Sequence, residues 1–399
     1  MKKIAPLILF CAFTFCSNTE QKAETFSIGV VKSLFDPIEK VLLTYKIPYD
    51  VLDITDLEKS EILARYGAIF LPCGMEMPVH ERIALMTYGG NIAAVSLNKN
   101  FRETDDALIG RNISQFIKNG GAAYFSDLAF KQLQSAFEPF EFFSNNPYLG
   151  EEGRVEAKLN GDLSVFCNAK EAGIYMTHSG WVNIKNAEDC EVIAEGRYST
   201  PLGEKNGPIS VLFIRGSGEI LYTSYHNTLY SDFRRFNIYR IAAHNIIKRA
   251  AETANGHGQK ILARIGDAIH DGENIRTYKL PLKSGNNTIY MFFEAAGFQI
   301  DILSDSKKII ESRDSFDKEF NFNVDSDKDS FCFVRIFPRK DTRFTKFAVI
   351  SAAGMKTWPY YIKILLIAAL IVAAVSACFI LLPRISNLFR YAPRPRRLF

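Results

Sequence analysis

The sequence predicts an α/β domain on a parallel sheet, then an antiparallel β-sandwich, then one C-terminal transmembrane helix. Three observations predict it. Over residues 24–256 short apolar runs alternate with helix-patterned stretches, as strands and crossover helices on both faces of a parallel sheet would. Over residues 257–354 the helical period disappears, and seven short alternating segments follow one another about every ten residues. Ile364–Leu382 carries no charge and, at about 1.5 Å per residue, is long enough to cross a hydrocarbon core.

A chain of 399 residues exceeds one ordinary core and fits about two domains. With 47% hydrophobic and 23% charged residues it has a globular composition, which excludes a disordered or collagen-like chain. Its 32 Phe and 17 Tyr suit β-rich packing. The net charge of +4 sits at the ends. Setting aside Lys2, Lys3 and the five arginines after Pro383 leaves about −3 for the middle. Nucleic-acid binding needs a basic face, so no nucleic-acid partner is expected.

Residues 1–23 read as a signal peptide and polar tether: Lys2 and Lys3 precede an apolar run from Ile4 to Cys16 that is short for a membrane span. Cys16, followed by small polar residues, also resembles the acylated cysteine of bacterial lipoproteins, although Phe15 replaces the small residue expected before it. Residues 355–383 hold the transmembrane helix and its flanks. Trp358, Tyr360 and Tyr361 form an interfacial belt, and Lys363 can reach back to the headgroups. The tail, 384–399, carries five Arg and no acid, which places it in the cytoplasm and the N-terminal bulk in a periplasmic or extracellular space. The expected partners are the membrane, through residues 364–382, and an envelope protein or small ligand of unknown identity.

Within the first domain, strands are expected at Phe26–Val31, Tyr49–Ile54, Gly67–Pro72 and Ala122–Phe125. Asp36 and Pro37 are placed to start a helix, with Asp as its cap. Leu57–Tyr66 and Ala107–Lys118 carry helical patterns, the second stopped by Gly120 and Gly121. Residues 139–207 read as a β insertion. Ile209–Ile214 and Glu219–Tyr225 read as a hairpin, and Asp232–Ala251 as one long helix.

The segments Tyr66-Gly-Ala-Ile-Phe-Leu-Pro-Cys-Gly74, Ile113–Asp127 and Gly218–Asn227 resemble the class I glutamine amidotransferase-like superfamily, in its degenerate trehalose-utilisation-type branch. The resemblance covers residues 24–256 and implies a flavodoxin-like sheet. Active members carry a nucleophilic Cys on a sharp strand-to-helix turn flanked by glycines. Here Ser126, Asp127 and Leu128 occupy that turn, and Cys73 lies one strand earlier, where the resemblance implies a Gly-rich oxyanion loop.

Ligands of open α/β sheets bind beyond the carboxyl ends of the strands. Cys73, Ser126 and His226 fall at such ends, as do Gly74, Asp127 and Asn227. A Ser or Cys nucleophile needs a base in reach and a third group to orient it. Ser126 or Cys73 with His226 is therefore the candidate catalytic set, and Gly74, Asp127, Asn227 and Trp181 are candidate ligand-binding residues. Ser126 and Asp127 equally suit helix caps. His178, Ser179 and Trp181 lie in the β insertion, which either overhangs this rim or forms a turn around a half-buried Trp. The preferred reading is noncatalytic binding or scaffolding; the alternative is a hydrolase or amidase. No cofactor and no metal are expected.

Residues 257–354 resemble the prepeptidase-C-terminal type of β-sandwich, which implies adhesion, spacing or carbohydrate contact. Asp325-Ser-Asp-Lys-Asp329 imitates a calcium loop without the Gly and Glu such loops need, so a solvated turn is expected. Cys167 and Cys190 can pair in an oxidising compartment or remain thiols.

Overall fold

The computed structural model describes residues 27–75 without 34, residues 104–354 without 138–139, 145–146, 228–231, 270–274, 316 and 339–344, and residue 369. The expected signal segment, tail and, but for residue 369, transmembrane helix lie outside the described residues. Among the described residues no helix is long and apolar enough to cross a membrane.

The first part of the chain runs β1 (Ile28–Val31), α1 (Ile38–Thr44), β2 (Asp50–Leu52), a 3-10 turn (Ile54–Glu58), α2 (Ser60–Leu63), β3 (Ala68–Leu71), α3 (Asp106–Lys118), β4 (Ala122–Ser126) and α4 (Phe130–Ala136). β1, β3 and β4 are apolar along their whole length because both faces of the sheet are covered. Successive side chains point to opposite faces. Ala122 and Tyr124 thus join a core with α1, while Ala123 and Phe125 join a second core with α3 and α4. α3 starts where the Asp105 carboxylate accepts the Leu108 N–H at 2.9 Å. It buries Ile109, Ile113, Phe116 and Ile117 at helical spacing.

The chain continues through β5 (Phe140–Phe143), β6 (Gly153–Leu159), α5 (Gly161–Cys167), β7 (Glu171–Met176), β8 (Asn183–Ala187), β9 (Glu191–Thr200), β10 (Gly203–Arg215) and β11 (Gly218–Thr223). One nine-stranded sheet results, in the order β2-β1-β3-β4-β11-β10-β9-β6-β7. The first five strands are parallel, in the doubly wound order that reverses its winding between β1 and β3. The rest are antiparallel. The expected β insertion is therefore no separate module: three of its strands and the start of β10 extend the main sheet, and β5 pairs with β8 in a small ribbon. It also holds α5, which the sequence reading missed. The expected long helix is two, α6 (Asp232–Ala242) and α7 (His244–Gly256).

The last part holds β12 (Gln259–Ile269), β13 (Arg276–Leu282), β14 (Gly285–Phe293), β15 (Phe298–Leu303), β16 (Ile309–Ser315), β17 (Glu319–Ser326), β18 (Ser330–Pro338) and β19 (Thr345–Gly354). Two four-stranded antiparallel sheets, β12-β19-β14-β17 and β13-β18-β15-β16, share one core. β12 is the strand missing from the expected seven. The other face of its sheet is covered by α7, whose Ile247, Ala250 and Ala254 pack on Tyr290, Phe292 and Ile350. α6 adds a polar tie: Arg235 donates to Asp267 of β12 at 3.0 Å, and the same carboxylate accepts the Tyr278 hydroxyl.

The Asp325–Asp329 stretch is the end of β17 and the three-residue turn, 327–329, that leads to β18. Asp329 is engaged by Lys283 Nζ at 2.6 Å and the Ser284 N–H at 3.0 Å. Cys73, Cys167, Cys190 and Cys332 are all free thiols.

Candidate functional site

Four strands deliver the site. Asp36 follows β1, Cys73 and Gly74 follow β3, Ser126 ends β4 and Asp127 follows it, and His226 and Asn227 follow β11. All lie at the carboxyl rim, beside the reversal between β1 and β3 where such sheets bind ligands.

Ser126 is the last residue of β4, in extended conformation, and its hydroxyl caps no helix. It donates to Asp36 Oδ2 at 2.7 Å and accepts the Cys73 N–H at 2.9 Å. Fully buried, it has no free face for a substrate. Asp36, expected as the cap of α1, makes no cap bond. Its carboxylate points inwards and also accepts the Asn227 N–H at 3.0 Å. Burial raises its pKa against the opposing pull of His226 and the hydrogen bonds from Ser126 and Asn227.

The sharp strand-to-helix turn belongs to Asp127 instead. Its φ of +43° lies in the left-handed region, which Asp enters more readily than most residues. That strained position after a central strand is where nucleophile elbows present their reactive side chain. Here it presents a carboxylate with no exposed surface. Oδ1 accepts the Val182 N–H at 2.7 Å, and the main-chain carbonyl accepts the Tyr222 hydroxyl at 3.2 Å.

Three groups converge on the other oxygen, Oδ2. The Cys73 thiol donates to it at 3.4 Å, His178 Nε2 lies 3.1 Å away and His226 Nε2 lies 3.5 Å away. The two imidazoles stack with centroids 4.5 Å apart. His226 is 10% exposed and its Nε2 completes no hydrogen bond, while His178, 37% exposed, forms the solvent edge. Burial works to raise the Asp127 pKa, but the hydrogen bonds from His178 and Val182 and the charge of the neighbouring His226 outweigh it and hold the carboxyl low. Burial alone would lower His226, yet Asp127 and Asp36 leave it raised. The Cys73 thiol is pushed well above its usual range by burial and by the Asp127 charge. Cys73, Asp127 and His226 each offer a ligand atom within 4.8 Å of the others.

The remaining expected residues play other parts. Asn227 is spent internally: its amide donates to Tyr124 Oη at 2.6 Å, and its carbonyl accepts from Asn237 at 3.1 Å. Gly74 has φ +79°, and a Cβ there would meet the Phe35 ring at 2.3 Å, so it serves the turn and a close approach. Trp181 forms no binding wall. It is fully buried, donates from Nε1 to the Glu151 carbonyl at 3.0 Å and packs edge-on against Tyr198. The insertion does overhang the rim, but through His178. Asp36 is the residue whose place in the site the sequence does not give, since Asp before Pro reads as a helix cap; for His178 the overhanging alternative is the one the structure shows.

No family model and no curated protein matches the chain. Solved structures resemble its parts. A glutamine amidotransferase from Thermotoga maritima aligns with 58% of this chain and 92% of its own, at 13% identity and a TM-score of 0.32. A cytoplasmic protein from Salmonella typhimurium aligns with 56% of this chain and 97% of its own, at 10% identity and a TM-score of 0.32. The pre-peptidase C-terminal domain of a Bacillus anthracis collagenase aligns with 22% of this chain and 87% of its own, at 16% identity and a TM-score of 0.19. At these values the likenesses assign neither a family nor an activity.

Proposed function

We propose that this chain is an exported, membrane-anchored binding protein: an amidotransferase-like, flavodoxin-like sheet retained for recognition at its carboxyl rim, without hydrolysis. One observation carries the reading. The turn that would present a nucleophile presents Asp127, and the neighbouring hydroxyl and thiol are withdrawn from substrate. Ser126 is buried with its hydroxyl committed to Asp36 and the Cys73 N–H. The Cys73 thiol is 1% exposed and held protonated by burial beside Asp127, whereas nucleophilic thiols are exposed and carry lowered pKa values. The partly exposed His178 is the solvent-facing member of the rim. Support for the anchor is the uncharged run Ile364–Leu382 between an aromatic belt and an arginine tail.

The full-length chain, purified in detergent and presented with amide and ester substrates, is expected to show no turnover above the uncatalysed background. Turnover lost on Ser126→Ala, Cys73→Ala or His226→Ala would overturn the reading in favour of a hydrolase.

A further inference from the structure

We propose that Cys73, Asp127 and His226 bind one Zn²⁺ ion at the carboxyl rim of the sheet, with His178 beside it at the solvent edge. The inference concerns the rim assigned to binding above and stands whether or not that rim also recognises a partner. As a set of hydrogen bonds the cluster is overcommitted. A carboxylate oxygen has two lone pairs to offer, yet Asp127 Oδ2 faces the Cys73 thiol, His178 Nε2 and His226 Nε2 together. His226 Nε2, buried and aimed into the group, is left without a hydrogen bond.

The ligand atoms of Cys73, Asp127 and His226 lie within 4.8 Å of one another, close enough for one ion to draw them into its shell. With Zn–N and Zn–O bonds of about 2.0–2.2 Å and a Zn–S bond of about 2.3 Å, ligand atoms stand about 3.3–3.6 Å apart. The distances from Oδ2 to the Cys73 thiol and His226 Nε2 are 3.4 and 3.5 Å. One thiolate, one imidazole and one carboxylate are three ligands of the types Zn²⁺ takes, with a fourth position left for water or a bound group. Mg²⁺ and Ca²⁺ prefer shells of oxygen.

The surroundings suit a ligand set as well. The Val182 N–H occupies Oδ1 at 2.7 Å and the Tyr222 hydroxyl fixes the Asp127 carbonyl at 3.2 Å, which leaves Oδ2 as the metal-facing atom. Outer hydrogen bonds of this kind orient ligating carboxylates. Binding releases the Cys73 thiol proton to solvent, since the thiolate is the ligand. Ligands from the ends of β3, β4 and β11 are drawn together, so the ion would fasten three neighbouring parallel strands at their carboxyl ends.

The full-length chain is stripped with a chelator, dialysed against Zn²⁺ and assayed for metal per chain, then loaded with Co²⁺ for its absorption spectrum. The expected result is one Zn²⁺ per chain and a Co²⁺ spectrum with tetrahedral bands and a thiolate charge-transfer band. Cys73→Ser should remove that band and weaken Zn²⁺ binding by more than about 100-fold, beyond the roughly 10–100-fold typical of outer-shell changes. His178→Gln, at the solvent edge and remote from the core, should fold normally and weaken binding at least about 10-fold. A wild-type chain that retains no Zn²⁺, a Co²⁺ spectrum without the thiolate band, or undiminished binding by both variants would overturn the proposal.

Discussion

β11 joins two buried polar clusters of opposite construction, one at each end. At its amino end, Glu219 receives Arg240 in a bidentate pair, at 2.5 and 2.9 Å. Arg240 continues to Asp162 at 2.8 Å, and Arg264 of β12 supplies both its N–H and Nε to the same carboxylate, at 2.8 and 3.1 Å. Each oxygen of Glu219 and Asp162 thus has its own donor. Past the carboxyl end, Asp127 Oδ2 faces three groups and His226 Nε2 completes no bond. The two buried histidines near these clusters also diverge. Burial next to Arg240 and Lys248 drives His244 down despite Glu219, whereas Asp127 and Asp36 overcome burial at His226 and drive it up. The Asp162 carboxylate, shared between Arg240 and Arg264, with Glu191 joined to Arg264, gives a fixed joint between the large sheet and β12. Buried ligand-type groups crowded on one oxygen give a site that an ion would complete.

The largest effect separating the two ends should come from Arg240→Met. Removing one partner of a buried pair leaves the other charge uncompensated and costs about 3–5 kcal/mol. Urea denaturation should report that loss, and a loss below 1 kcal/mol would erase the contrast. Acid should reach the same joint. Burial acts to raise the Glu219 carboxyl, but the Arg240 charge and hydrogen bonds overcome it and hold the pKa low. Its contribution to stability is therefore complete above the ordinary Glu value of about 4.3 and disappears as pH falls through the folded-state value. Urea midpoints measured from neutral pH downwards should drop in that window for the wild type, with a smaller drop for Arg240→Met.

Effects at the rim are expected to be smaller. Ser126→Ala strands the Cys73 N–H and removes one donor from Asp36, a loss of about 1–3 kcal/mol in the same denaturation experiment. His178→Ala removes a partly exposed ring and one hydrogen bond to the buried Asp127 carboxylate, and should cost roughly 1–2 kcal/mol of metal-free stability. A larger loss would make His178 a structural residue on the same footing as Arg240.

The frame of the α/β region was legible because central parallel strands are continuous apolar runs. Ala68–Leu71 and Ala122–Ser126 announce themselves, and the strand ends then point to Cys73, Asp127 and His226. β12 was harder to see, since its Arg264 and Asp267 interrupt the apolar pattern while serving the buried contacts with Asp162 and Arg235. α5 is seven residues of strand-compatible composition, held by tertiary contacts rather than by helical periodicity. At the site, local grammar misled. Asp before Pro and Ser at a strand end read as caps, and only the folded sheet brings Asp36 and Ser126 into hydrogen-bond contact across 90 residues of sequence. The role of Asp127 depends on its backbone turning to φ +43°, which no side-chain pattern encodes.

Thermal unfolding of the full-length chain with and without Zn²⁺ tests the contrast most directly. An ion bound only by the folded state at about 100 times its Kd stabilises by about 2.7 kcal/mol. The wild type and Arg240→Met should both gain that increment, since the amino-end joint plays no part in binding the ion, while His226→Gln and Cys73→Ser should gain none. No shift in the wild type, or an equal shift in all four proteins, would contradict the account.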